Sequence, residues 1–321
     1  MSTLSKPGKG AVINKPRIPL GKRVCRDFQM NWRLYLLFLP VLAYFIVFKY
    51  APMAGLVISF QDYKAAKGIT GSKWVAMKHF INFFNDPYLP RLLRNTFTIA
   101  LSTLIFSFPS AIVLALLINE LRSRKKSRVV QTISYIPHFI STVVVCGIIR
   151  DLVSRTGGVT MLLHSIFGMQ VTNMLYEPDY FVPIYIVSDI WSNIGWNSIV
   201  YLSALTAIDQ ELYEAARVDG ASKLRRIFSI DIPYIAPTIL TLFILNTGSI
   251  LSIGFEKIYL MQNSINTPVS EVISTYVYKM GVQNGNFSFS TAVGLFNSLV
   301  NLFMLLVVNS ISKKLSNVSV L

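Results

Sequence analysis

The residues able to do chemistry are few and lie apart. The 321-residue chain has three histidines, His79, His138 and His164, each in a different segment. Its two cysteines, Cys25 and Cys146, stand in a basic leader and in an apolar run, which argues against a disulfide framework. No Cys, His, Asp and Glu fall at metal-ligand spacing, and no Ser, His and Asp suggest a nucleophile with its base. No phosphate cradle of the form G-x-x-x-x-G-K-S/T occurs, because Gly8-Lys9-Gly10 has neither its spacing nor its strand-to-helix setting. Polar residues do recur at helical spacing. Asp189, Asn193, Trp196 and Asn197 fall at i, i+4, i+7, i+8, and Asn246, Ser249 and Ser252 at i, i+3, i+6. Their chemistry is recognition rather than bond making. Amides, hydroxyls and indole faces suit a molecule rich in hydroxyls and flat C–H faces, and Trp191 and Tyr201 add stacking surface. Hydrogen bonding between helices would use the same stripes.

The elements that carry these residues are apolar. The chain is 53% hydrophobic and 14% charged, with a formal net charge of +15. A soluble domain carries about 25% charged residues. Scarce but basic charge excludes an ordinary soluble enzyme and a disordered tail protein. A nucleic-acid binder is basic too, but it lacks apolar runs of this length. Runs without charge cover Asn95 to Asn119, Val129 to Ile149, Ile232 to Phe255 and Met280 to Ser312. Leu34 to Phe60 contains only Lys49, and Phe181 to Ile208 only Asp189. A membrane helix needs about 20 such residues, and none of these runs alternates as a barrel strand does. The expectation is an all-α polytopic membrane protein with six transmembrane helices. At membrane depth, polar stripes are costly unless they face a bundle interior or a wet cavity. Asp189 lies about two turns into its span, so a hydrogen-bond or ion-pair role is expected, with a proton relay as the alternative. Lys49 can snorkel outward, and Arg150 and Asp151 mark the outer end of the third span.

Orientation follows from the loops. With the N-terminus inside, segments 1–33, 120–130, 209–231 and 312–321 carry 19 Lys/Arg, against 8 in the outer loops 61–91, 154–180 and 254–288. Both termini are therefore placed in the cytoplasm. Residues 1–30 read as a flexible basic leader, too long for a signal peptide and lacking a small-residue cleavage site. Its cations can rest on anionic lipid or simply set topology. The six-span domain occupies 31–315, and 316–321 form a short tail.

The loop at 209–231 is more than a connector. Asp209 is a good N-cap with Glu211 in the first turn, for a short helix to about Val218. Gly220 permits a sharp reversal. Ser222 can cap a second short helix, and Pro233 suits the start of the next span. Ala215 and Ala216 leave one face thin enough for another protein to approach closely. Glu214, Arg217 and Asp219 ring that face with charge, and Leu212, Leu224, Ile227 and Phe228 supply apolar contacts, some of them against the protein's own spans. The shape suits docking into a partner's groove.

Glu214-Ala215-Ala216, three residues, Gly220, nine residues, Ile230, one residue, Ile232 and Pro233 resemble the "EAA" loop of binding-protein-dependent ABC importer permeases, with Ile232 in place of the usual leucine. The stretch from Asn31 through Pro52, Leu93-Arg94-Asn95-Thr96 and Asn119-Glu120-Leu121-Arg122 resemble the polysaccharide and oligosaccharide branch of that family. So do Ser134-Tyr-Ile-Pro-His-Phe-Ile-Ser141, Ser188-Asp-Ile-Trp191 and Thr291-Ala-Val-Gly-Leu-Phe296. The resemblance implies a type I importer permease with no ATPase and no cofactor of its own. It implies work beside a homologous second permease, two cytoplasmic ATPase subunits that use the ATP, and an extracytoplasmic solute-binding protein. Glu214, Ala215, Ala216, Arg217, Asp219 and Gly220 would couple to the ATPase. Asp189, Asn193, Trp196, Asn197, Asn246 and Ser249 would line a translocation path for carbohydrate, by alternating access in the membrane of a bacterial cell. A permease for another solute is the alternative. An integral-membrane glycan-processing enzyme would need acids or histidines converging at one face, and a channel would leave the loop unexplained.

Overall fold

The computed structural model describes residues 20–121, 123–252 and 254–316, with the side chains of all but 20–27, 252, 315 and 316. Most of the leader and of the tail lie outside those residues. The chain separates into two compact units, one up to Leu56 and one from Val57.

The first unit is built on α1 (Leu20–Phe45), which begins within the leader segment and continues through a π turn, Ile46–Tyr50. Every residue from Trp32 to Tyr50 is exposed. A helix that is apolar around its circumference and exposed along its length is suited to hydrocarbon rather than water.

The second unit is helical apart from a two-residue antiparallel ladder, in which β1 (Gln61–Asp62) pairs with β2 (Lys73–Trp74). Then come α2 (Lys78–Phe84), α3 (Leu89–Asn119), α4 (Arg124–Tyr135), α5 (Thr142–Leu152), α6 (Gly158–Phe167) and α7 (Pro178–Thr206). These are followed by α8 (Gln210–Val218), α9 (Lys223–Thr247), α10 (Phe255–Met261), α11 (Ile273–Tyr278) and α12 (Phe287–Ser316), with single helical turns at Gly68–Gly71 and Thr267–Ser270.

Among the described residues, four helices are long and apolar enough to cross a membrane: Phe28–Phe60, α3, α9 and α12. A bent pair makes a fifth. The expected straight third span over Val129 to Ile149 is instead broken. Arg124–Phe139 and Thr142–Leu152 meet at 100°. Pro137 offers no amide hydrogen to an ongoing helix. Ile140 is extended, and Ser141 starts α5 afresh by accepting a hydrogen bond from the Val144 amide. The expected fourth span, α7, is 29 residues, or about 43 Å at 1.5 Å per residue. It stands apart from the four because its polar stripe dilutes its apolar character. The fifth apolar run ends as a helix at Thr247, and Gly254 in the left-handed region (φ +52) then reverses the chain. The last helix begins at Phe287 rather than Met280, behind a π turn at Lys279–Gln283 and Gly285 at φ +68.

Buried side chains form several clusters. One joins α5, α7 and α10 through Val145, Cys146, Ile149, Phe181, Tyr185 and Ile258. Another joins α3, α7, α8 and α9 through Ala111, Ala115, Tyr201, Leu205, Tyr213 and Ile235. The third packs Phe83, Leu92, Ile273, Tyr276 and Val293. Because α7 belongs to the first two, it is the axis around which the polar groups gather.

Candidate functional site: a polar pocket and a bolted elbow

The stripe on α7 faces the stripe on α9 across a pocket of about 300 Å³. Asp189, Asn193, Trp196, Asn197, Asn246 and Ser249 all line it, together with Ser107 and Thr103 of α3. Trp196, Asn197, Asn246 and Ser249 are exposed to the opening. Tyr201 lies in the wall and is almost fully buried, edge-on to Phe108. Trp191 is not brought in. It borders a separate apolar hollow with Ile148, Leu152 and Val187. The side chain of Ser252 lies outside the described residues.

Asp189 is held by groups from three elements. Ser107 of α3 donates to Oδ2 at 2.5 Å, and Asn193 of α7 donates to Oδ1 at 3.0 Å. The Lys257 ammonium of α10 lies 3.9 Å from Oδ1. Lys257 also donates to the Tyr185 carbonyl at 3.2 Å and sits 4.7 Å from the centre of that ring. Asp189 is thus an ion-pair and hydrogen-bond partner. It borders a second pocket of about 390 Å³, shared with Asn193, His138 and Lys257.

His138 is a part of the site that spacing could not expose. Its ring stacks on Trp196 with centroids 4.5 Å apart and planes within 7°, and its Nδ1 lies 3.2 Å from the Asn193 amide oxygen. Gly195 makes this approach possible: a Cβ there would stand 2.1 Å from the Ser134 carbonyl oxygen. The helices α4 and α7 therefore touch backbone to backbone, which sets His138 beside the stripe. The other two histidines are engaged elsewhere. His79 Nε2 faces Asp62 and the Gln61 carbonyl, and His164 faces the Met169 carbonyl. Among the described residues no three His, Cys, Asp or Glu could hold a metal ion.

The elbow at 209–231 forms as its residues dictate. Asp209 accepts from the Glu211 amide at 3.0 Å, and α8 runs to Val218. Gly220 is left-handed at φ +72. The Ala221 amide bonds back to Ala216 and the Gly220 amide to Arg217, closing a Schellman end. Ser222 accepts from the Arg225 amide and caps α9, and Pro233 follows inside it. Glu214, Ala215, Arg217, Asp219 and Gly220 are exposed and Ala216 half-buried. Of the apolar residues expected to tuck inward, only Ile227 packs into a cluster. Leu212, Leu224 and Phe228 remain 50–68% exposed, and Val218 is 88% exposed.

What anchors the elbow is Tyr213. Its hydroxyl donates to Asp231 Oδ1 at 2.5 Å and receives a bond from Asn119 at 3.4 Å. Burial, reinforced by the bond to Asp231, pushes the phenol up to about 12. Alongside, Arg226 donates to both oxygens of Glu120 at 3.3 Å, and Lys223 lies 3.7 Å from the same carboxylate. These contacts tie the elbow to the end of α3 and the start of α9.

Apolar helices of membrane-spanning length surround a polar-lined pocket and carry an exposed elbow, an architecture that suits a membrane transport component. Residues 107–317 match the family described as binding-protein-dependent transport system inner membrane component. The chain belongs to that family. It is 44% identical over 308 residues to the polygalacturonan/rhamnogalacturonan transport system permease protein YteP of Bacillus subtilis, covering 96% of this chain and 95% of the relative. It is 45% identical over 282 residues to Protein LplB of the same organism, with 88% of each covered. It also matches a chain in the crystal structure of a bacterial alginate ABC transporter in complex with an alginate pentasaccharide-bound periplasmic protein. There the TM-score is 0.85 and the identity 39%, over 93% of this chain and 100% of that one.

Proposed function

We propose that this chain is the translocation subunit of an ATP-driven importer for oligosaccharide or polysaccharide fragments. A binding protein on the outer face delivers the cargo. A second, homologous permease completes the pathway, and two cytoplasmic ATPase subunits grip the elbow. The observation that carries this reading is the elbow. It presents Glu214-Ala215-Ala216 beside exposed Val218, Leu224 and Phe228, yet is fixed to two helices through Tyr213 and Glu120. Such a part receives a push from another protein and passes it on.

The pocket supplies the other half. Beside apolar walls and the Asp189 carboxylate, its polar side chains are amides, hydroxyls and an exposed indole, the groups that bind sugars by hydrogen bonding and stacking. The named cargoes of the relatives, polygalacturonan/rhamnogalacturonan and alginate, are polysaccharides. Without a phosphate cradle anywhere in its sequence, the chain takes its energy from its partners. ATP binding draws the ATPases together, the elbow moves as a rigid body, and the pocket is exposed to alternate sides. Six crossings with both termini in the cytoplasm follow from the six apolar runs and the Lys/Arg asymmetry.

The test is to purify the complex from its native membrane, reconstitute it and measure uptake of labelled oligogalacturonides. Glu214→Ala and Gly220→Pro should abolish uptake while the chain remains in the membrane. Normal uptake by either variant overturns the coupling role. Replacing Asn193, Trp196 and Asn246 one at a time should shift cargo preference, and three unchanged profiles would remove the pocket from the path.

A further inference from the structure

The transport reading above assigns no role to the first turn of α4. Arg124, Lys125, Lys126 and Arg128 are all exposed there, and α4 has no acidic residue in its first turn. Cations at a helix N-terminus meet the positive end of the helix dipole, and four within five residues also repel one another. Among the described residues none of the four pairs with a carboxylate. Glu120, a few residues before, is taken by Arg226 and Lys223. The cluster is therefore a concentration of unpaired positive charge among the described residues, open to an anion from outside the chain.

The same face says which anion. From Lys125, the residues at i+4, i+8 and i+11 are Val129, Ile133 and Ile136, exposed by 56%, 64% and 55%. Phe139 beyond them is 74% exposed. One stripe thus runs from ammonium groups to branched hydrocarbon over three turns. That is the order of charge and chain in an anionic phospholipid. An acidic protein surface or a departing acidic sugar would match the cations and leave the hydrocarbon bare. An apolar partner helix would cover the hydrocarbon and leave the cations unmatched.

We propose that α4 is an anionic-phospholipid site, with Lys125 and Lys126 on the phosphate headgroup and Val129, Ile133 and Ile136 along the acyl chain. The proposal rests on the membrane-embedded reading above, with the 120–130 loop at the cytoplasmic face. It gives α4 a second task besides positioning His138. The lipid holds one end of a helix whose other end borders the pocket.

Native mass spectrometry of the full chain, in the complex in which it purifies, tests this. The detergent is neutral, and the probes are phosphatidylglycerol and phosphatidylcholine. Wild type should retain phosphatidylglycerol preferentially, and less of it in about 0.5 M salt. At about fivefold per cation, Lys125→Gln with Lys126→Gln should weaken phosphatidylglycerol about 25-fold and leave phosphatidylcholine unchanged. Lys125→Arg with Lys126→Arg should restore the preference. Equal phosphatidylglycerol retention by wild type and the double glutamine variant overturns the proposal. So does full displacement of the lipid by glycerol phosphate or by oligogalacturonides, which would reassign the cations to a soluble anion. The readout involves neither uptake nor ATP hydrolysis, so its failure and a failure of the transport reading are distinguishable.

Discussion

Asp189 shows how much a polar group inside an apolar bundle depends on its neighbours. Ser107, Asn193 and Lys257 reach it from α3, α7 and α10. Its side chain is 18% exposed and that of Lys257 11%, so removing either partner leaves the other charge desolvated. Lys257→Met and Asp189→Asn should each cost roughly 2 kcal/mol of stability, below the figure for a closer and fully buried pair. The double variant should recover most of that loss. Additive losses in thermal unfolding of the purified chain would show that the two groups are not coupled. Tyr213 gives a second prediction. Its folded value, about 12, exceeds the ordinary value near 10. A neutral phenol favoured by the fold stabilises it fully below pH 10, and that contribution is lost as pH rises through 12. Tyr213→Phe should therefore cost about 1–2 kcal/mol at pH 8. The gap from wild type should close between pH 10 and 12, which melting curves across that range would show. At this scale the sequence displayed the stripes, because helical spacing alone puts Asp189, Asn193 and Asn197 on one face. It did not display His138 against Trp196, Lys257 against Asp189 or Tyr213 against Asp231. Those contacts join different elements, and periodicity within a helix carries no trace of them.

Among the elements, two glycines separate a conformational constraint from a packing one. Gly220 sits at φ +72, and a methyl group added there would meet nothing within 4 Å, so Gly220→Ala carries only the left-handed backbone cost, about 1 kcal/mol. Uptake should fall modestly, with normal amounts of chain in the membrane. Gly195→Ala places its methyl 2.1 Å from a backbone oxygen of α4, which no side-chain rotation relieves. It should cost about 2–3 kcal/mol and abolish the His138–Trp196 stack. Equal thermal stability of the two variants would mean that α4 and α7 are free to separate. The caps of the elbow were legible because Asp209, Gly220 and Ser222 act on amides within a few residues. The break in the third span was less so. Pro137 was visible, but an unbroken apolar run of span length concealed that a 100° bend follows it. Apolar composition tells that a segment avoids water and says nothing of its direction.

For the whole molecule the outstanding question is which loops share a side. With Cys25 and Cys146 replaced, single cysteines at Leu224 and Ile265, exposed by 67% and 50%, are suitable reporters. A membrane-impermeant thiol reagent applied to intact cells should label position 265 and not position 224, and inverted vesicles should show the reverse. Labelling of both from one side would refute six crossings in the proposed order. The all-helical membrane architecture was readable because the bilayer demands long apolar helices. The pocket between α7 and α9 was readable only as two faces, since their meeting depends on how the bundle closes.

The fixings of Tyr213 and Arg226 give the elbow a mechanical character. Because Tyr213 of α8 bonds both to Asp231 in α9 and to Asn119 at the end of α3, and Glu120 pairs with Arg226 and Lys223 of α9, a thrust delivered there would have no slack loop in which to dissipate. Under the proposed coupling it would turn two rods together, in a ratio set by where each is gripped. The stroke reaching the pocket would then be geared, so loosening either grip would alter its direction as well as its size.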